Sequence, residues 1–127
     1  MEDKYSSIGY IQEIEFTDYE VKIYGEHGHI LILPIGRGCC CESVFQHLSN
    51  LTDDDMTLLK NYKVDSITCG ENIKYEEEMQ YTIYIWFTND KQDMFEYRFD
   101  MITSKGCHDY EGEISIYVSS TDKYFSS

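Results

Sequence analysis

One proline, one tryptophan and ten basic side chains are all that this chain of 127 residues contains of those kinds. Each shortage excludes something. With Pro34 as the single proline, polyproline segments and proline-rich linkers are out, and nearly every backbone N–H can join a ladder. The ten Lys and Arg stand against 24 Asp and Glu, a formal net charge of -14. The lysines are scattered singly, so no basic patch exists to neutralise a phosphate backbone, and direct nucleic-acid binding is excluded. No apolar run approaches the roughly 20 residues that span a bilayer, so no membrane partner is expected. Met1-Glu2-Asp3-Lys4 lacks the charged-then-apolar pattern of a signal peptide. Together with an odd count of five cysteines, this makes a cytoplasmic protein with reduced thiols the expectation. There is no internal repeat, no low-complexity tract, and no motif that identifies a reaction.

What is abundant points to sheet. Aromatic residues make up 15% of the chain, twelve of them tyrosine, and such side chains fit a half-buried pleated surface. A hydrophobic fraction of 42% suits one folded domain, expected over 1–118 with a polar tail at 119–127. Ile8, Tyr10, Ile14 and Phe16 alternate, which predicts a first strand over 7–16. Strands over 20–24 and 29–34 form a hairpin about Gly25-Glu26-His27-Gly28. The second of these is apolar on both faces and should lie inside its sheet, ended by Pro34. Val44, Phe45 and Leu48 at helical spacing predict a helix over 42–48. Thr52-Asp53-Asp54-Asp55 starts another, ending near Asn61. A strand is expected over 64–69, then a charged stretch over 71–80 read as a loop or an exposed strand extension. A hairpin follows, with strands over 81–87 and 95–99, and a last strand over 114–118. The fold class is therefore α+β, mainly antiparallel sheet of about six or seven strands, with one or two short helices inserted after the third strand.

The densest local feature is Gly36-Arg37-Gly38-Cys39-Cys40-Cys41-Glu42-Ser43-Val44. Its core, Cys40-Cys41-Glu42-Ser43, resembles an uncharacterised small domain family of phages, other viruses and bacteria. In that family paired cysteines follow an N-terminal strand pair and precede a Leu-x-x-Leu segment, here Met56 to Leu59, and a Thr/Tyr/Trp-rich strand, here Tyr81 to Phe87. Cys39 is an extra cysteine, and Cys107-His108-Asp109-Tyr110 stands where the family has Gly-Tyr-Tyr. The resemblance implies an accessory protein of viral or mobile genomes and no particular chemistry.

Three chemistries compete with that bland reading. Zinc could be held by Cys39, Cys41, His47, Cys107 and His108 if the last turn packs near the cysteines, although no Cys-x-x-Cys knuckle is present. Without such convergence no cofactor is expected, and the thiols are buried, inert packing. A nucleophilic Cys40 or Cys41 at a helix N-terminus could use His47 or His108 as base, oriented by Glu42. That carboxylate, however, opposes thiolate formation. Ser43 and His47 would share a helix face, which alone assigns no catalysis. His27 and His29 flank Gly28 in a turn and read as structural. Trp86 and the tyrosines of its strand read as core rather than as a stacking platform.

The charge carries the leading expectation: a non-enzymatic acidic binding protein, its partner a host protein with a basic surface. Asp53, Asp54, Asp55, Glu76, Glu77 and Glu78 are the candidate partner-binding residues, either as a docking surface or as an imitation of phosphates. Both runs also have ordinary explanations, Asp53 to Asp55 as helix N-terminal charge and Glu76 to Glu78 as a solvated loop. A small-ligand pocket between sheet and helix ranks below, having little basic lining.

Overall fold

Alternating branched and aromatic side chains resolve into two antiparallel sheets that share one core. The computed structural model describes residues 5–37, 42–47, 51–70, 73–74, 78–104 and 111–120. After a 3-10 turn at Ser6–Ile8 come β1 (Ile11–Phe16), β2 (Val21–Gly25), β3 (Gly28–Arg37) and β4 (Glu42–His47). The helix α1 (Asp53–Leu59) follows, then β5 (Tyr62–Cys69), β6 (Ile73–Lys74), β7 (Glu78–Asn89), β8 (Met94–Ser104) and β9 (Glu111–Ser120). One sheet has the order β1-β2-β3-β9; the other runs β4-β8-β7-β5, with β6 also paired to β7. The class is α+β with antiparallel pairing throughout, as expected. Nine strands are described rather than six or seven, and the helix follows the fourth strand, not the third.

The helix expected over 42–48 is a strand. Val44 and Phe45 suit a pleated surface, and pairing with β8 supplies the segment's backbone with partners along its length. β4 pairs along its length with β8, Glu42 opposite Ser104 and His47 opposite Phe99. Phe45 enters the core, its ring 5.0 Å from Phe99 and 6.2 Å from Phe16 of the other sheet. Its backbone N–H donates to the Asp18 carbonyl at 2.7 Å, tying the two sheets together at the β1–β2 turn.

Irregularities reconcile the sequence pattern with one core. Ile11 is odd-numbered while Ile14 and Phe16 are even, yet all three pack inward, because the β1–β2 register shifts between Ile11 and Glu13. A second shift, between Val64 and Ser66, lets Val64 and Ile67 both reach the core and turns Ser66 and Thr68 outward opposite Trp86 and Tyr84. An extra residue in one strand reverses the facing of those beyond it. Pro34 does not end β3, which runs on to Arg37. Pairing with β2 stops at Ile32, so Pro34 lies where β3 is bonded only to β9, a position that tolerates a missing N–H. The other strands also extend past their expected ends, β8 to Ser104 and β9 through Ser120, two residues into the stretch read as tail.

The one described α-helix begins where its sequence predicted. Thr52 Oγ1 accepts from the Asp55 N–H at 3.1 Å, and the Asp55 carboxylate accepts from the Thr52 N–H at 3.1 Å. That reciprocal box satisfies two amides of the first turn. Leu59 is buried, and α1 lies against β1 and β5.

Candidate functional site

Of the residues read as zinc ligands, Cys39, Cys41, Cys107 and His108 lie outside the described residues, as does Cys40. The strand ends flanking them are paired: Arg37 lies opposite Glu111, and Glu42 opposite Ser104. His47 is at the far end of β4, ~17 Å of extended backbone from Glu42, where a helix would have kept it within ~8 Å. The strand also removes the helix N-terminus that would have activated Cys40 or Cys41, and separates Ser43 from His47 by ~13 Å of backbone. Among the described residues no group of three His, Cys, Asp or Glu side chains could hold a metal ion. Cys69, at the exposed end of β5, has its thiol pKa raised by desolvation, the wrong direction for a nucleophile.

The candidate acidic residues separate too. Asp53 and Asp54 are exposed on the first turn of α1, while Asp55 is engaged in the capping box. Glu76 and Glu77 lie outside the described residues, and Glu78 opens β7. α1 leads into β5 at Tyr62, opposite Asn89, so the two acidic runs attach at opposite ends of the 12-residue β7. The structure also exposes Glu13 and Glu15 on β1, an edge strand that α1 packs against. Their alternation with Ile14 and Phe16 was the readable signal: charges on the solvent face of an edge strand.

Two further features stand out. Even-numbered side chains of β7 and β8 form the outer face of the five-stranded sheet. There Tyr84 and Trp86 stack with ring centroids 6.1 Å apart and planes at 18°, and the Trp86 indole N–H donates to Thr68 Oγ1 at 3.2 Å. Both are half-buried on this outer face, not core; the core side of β7 is Ile83, Ile85 and Phe87. On the same face Asp100 is only 2% exposed, its carboxylate accepting from Gln80 Nε2 at 2.6 Å and Thr82 Oγ1 at 2.9 Å. Those bonds satisfy a buried polar group and fix the register of β7 against β8.

The other feature is a cleft of about 560 Å³ where the end of α1 meets the β7–β8 turn. Lys60 and Lys91 line it, balanced by Asp90 and Asp93, so the lining carries no net positive charge. The Tyr10 hydroxyl donates to both oxygens of Asp90, at 3.0 and 3.1 Å, and Lys63 Nζ lies 4.8 Å from the Tyr10 ring. The hydrogen bond to Asp90 raises the phenol pKa, so Tyr10 stays protonated and cannot serve as a base near neutral pH. The cleft is held together by this bridge, and its tyrosine is not tuned for catalysis.

No family model, curated protein or solved structure matches this chain. Among the described residues, no helix is long and apolar enough to cross a membrane.

Proposed function

We propose that this chain is a non-enzymatic binding protein, an accessory factor of a viral or phage genome, that docks a carboxylate-rich surface onto a basic surface of a host protein. The observation that carries this reading is the exposure of Glu13 and Glu15 on β1 and of Asp53 and Asp54 on α1, two elements packed against each other, in a chain of net charge -14. Such a surface steers a basic partner towards it and repels phosphate backbones. The resemblance through Cys40-Cys41-Glu42-Ser43 supports a viral or phage origin, and counter-defence or imitation of a nucleic acid are the roles an acidic surface of this kind would fill. The test is capture of partners from cell extract on the immobilised chain, followed by titration of the captured protein at several salt concentrations. A variant carrying Glu13→Gln, Glu15→Gln, Asp53→Asn and Asp54→Asn should bind at least ~10-fold more weakly at moderate salt, with a shallower salt dependence. Equal affinity and equal salt dependence would sink the proposal.

A second reading has one observation in its favour. The described residues that flank the segments holding Cys39 to Cys41 and Cys107-His108 are paired with one another, Arg37 with Glu111 and Glu42 with Ser104. Three or four thiolate and imidazole ligands drawn from those segments would make this a zinc-binding protein.

A further inference from the structure

Among the described residues, β9 is an outermost strand of the four-stranded sheet. β3 pairs with all ten of its residues on one side, from Gly28 opposite Ser120 to Arg37 opposite Glu111. Among the described residues no strand is bonded to its other side. Edges of this length present a row of backbone donors and acceptors, and proteins usually blunt them with charge, proline or brevity. The other outer strands obey that rule: β1 carries Glu13 and Glu15, β5 carries Lys63 and Asp65, and β4 has six residues. β9 does not. From Ile114 to Ser119 it reads Ile-Ser-Ile-Tyr-Val-Ser, with neither charge nor proline. Its burial is also incomplete. Ile114, Ile116 and Val118 pack against the core yet remain half-buried, and Tyr117 is 56% exposed beside half-buried Leu31.

We propose that this edge pairs with the β9 edge of a second copy of the chain, antiparallel about a two-fold axis through Tyr117, making one continuous eight-stranded sheet. Three features select a second copy. A two-fold axis normal to a sheet sets residues of the same face opposite each other, so the axis must pass through a residue rather than between two. Centring it on Tyr117 places Ile116 against Val118, Ser115 against Ser119 and Ile114 against Ser120, a pairing with no charged side chain in it. Glu111 and Glu113 fall outside the paired stretch. In a molecule of net charge -14, this neutral strip is where two copies can approach without setting carboxylate against carboxylate. Pairing would also complete the burial that Ile114, Ile116 and Val118 lack. A single edge-to-edge contact buries less than a standard interface, so the dimer is weak and depends on concentration.

Sedimentation velocity or light scattering over micromolar to millimolar concentrations tests this. The mass should rise from 15.0 kDa towards twice that value, and rising salt should tighten the dimer by screening like charges. That salt dependence is opposite in sign to the one expected for a basic partner, so the failure of either reading is distinguishable from failure of the other. Tyr117→Glu and Tyr117→Lys each set like charges together on the axis, and each variant alone should be monomeric. Mixing the two should restore the dimer. Tyr117 stands on the solvent face, so far-UV circular dichroism and melting temperature should be unchanged in both. A wild-type mass of 15.0 kDa at every concentration, a dimer that survives Tyr117→Glu, or a mixture that stays monomeric would overturn the proposal.

Discussion

Burial pushes the Tyr97 phenol well above its ordinary pKa, which ties the stability of this fold to alkaline pH. Tyr97 lies on the core face of β8, 2% exposed, with its ring 5.8 Å from Phe99. Ionising the phenol there would cost the phenolate its hydration. Because the folded pKa is raised, the stabilisation is complete below the unfolded value of about 10 and is lost as pH rises beyond it. Denaturant unfolding above about pH 10 should therefore show stability falling by at most about 1.4 kcal/mol per pH unit for each phenol so held. Tyr97→Phe should flatten that fall; an unchanged alkaline slope in the variant would show that other groups cause it. At this scale the sequence was a partial guide. It marked Tyr81 to Phe87 as bulky on both faces, but it could not say which parity faces the core. The structure puts Ile83, Ile85 and Phe87 inside and leaves Tyr84 and Trp86 on the other face of the sheet.

Among the elements, those specified by neighbouring residues were legible and those specified by distant partners were not. Thr52 and Asp55 close a capping box within four residues, and α1 starts there; such a cap contributes about 1 kcal/mol. Val21 to Ile32 folds back on itself through a short turn, and its hairpin was read correctly. β4 was misread because Val44, Phe45 and Leu48 fit a helical period as well as a short strand. What decides between them is β8, more than fifty residues away, which no local pattern encodes. The same long-range pairing bears on the zinc reading, since the residues flanking the two cysteine-bearing segments are paired, Arg37 with Glu111 and Glu42 with Ser104. If those segments hold a metal, native mass spectrometry of gently purified protein should show one zinc per chain. A chelator should remove the zinc and lower the melting temperature, and Cys39→Ser or Cys107→Ser should each abolish zinc binding. A metal-free mass, with melting indifferent to both zinc and chelator, would return these thiols to packing.

For the whole molecule, one quantity readable from composition governs behaviour that no single contact does. The net charge of -14 on 127 residues means that folding gathers like charges into a smaller volume, and self-repulsion opposes the compact state. The sheet order could not be read from that number, but its consequence for stability can. Raising sodium chloride from ~0.01 M to ~0.15 M shortens the screening length from ~30 Å to ~8 Å, which weakens repulsion between surface carboxylates on different strands. The hydrogen-bonded pairs that hold the structure, such as Asp100 with Gln80 and Thr82, are short and buried and are screened much less. The melting temperature should therefore rise with sodium chloride over this range, a salt chosen because sulfate would also strengthen apolar burial. The variant with Glu13, Glu15, Asp53 and Asp54 neutralised should melt above the wild type at low salt, and the gap should close as salt rises. A melting temperature that falls with salt would mean that attractive surface pairs outweigh the repulsion. The carboxylates of β1 and α1 would then be part of what holds the fold together rather than a surface kept for a partner.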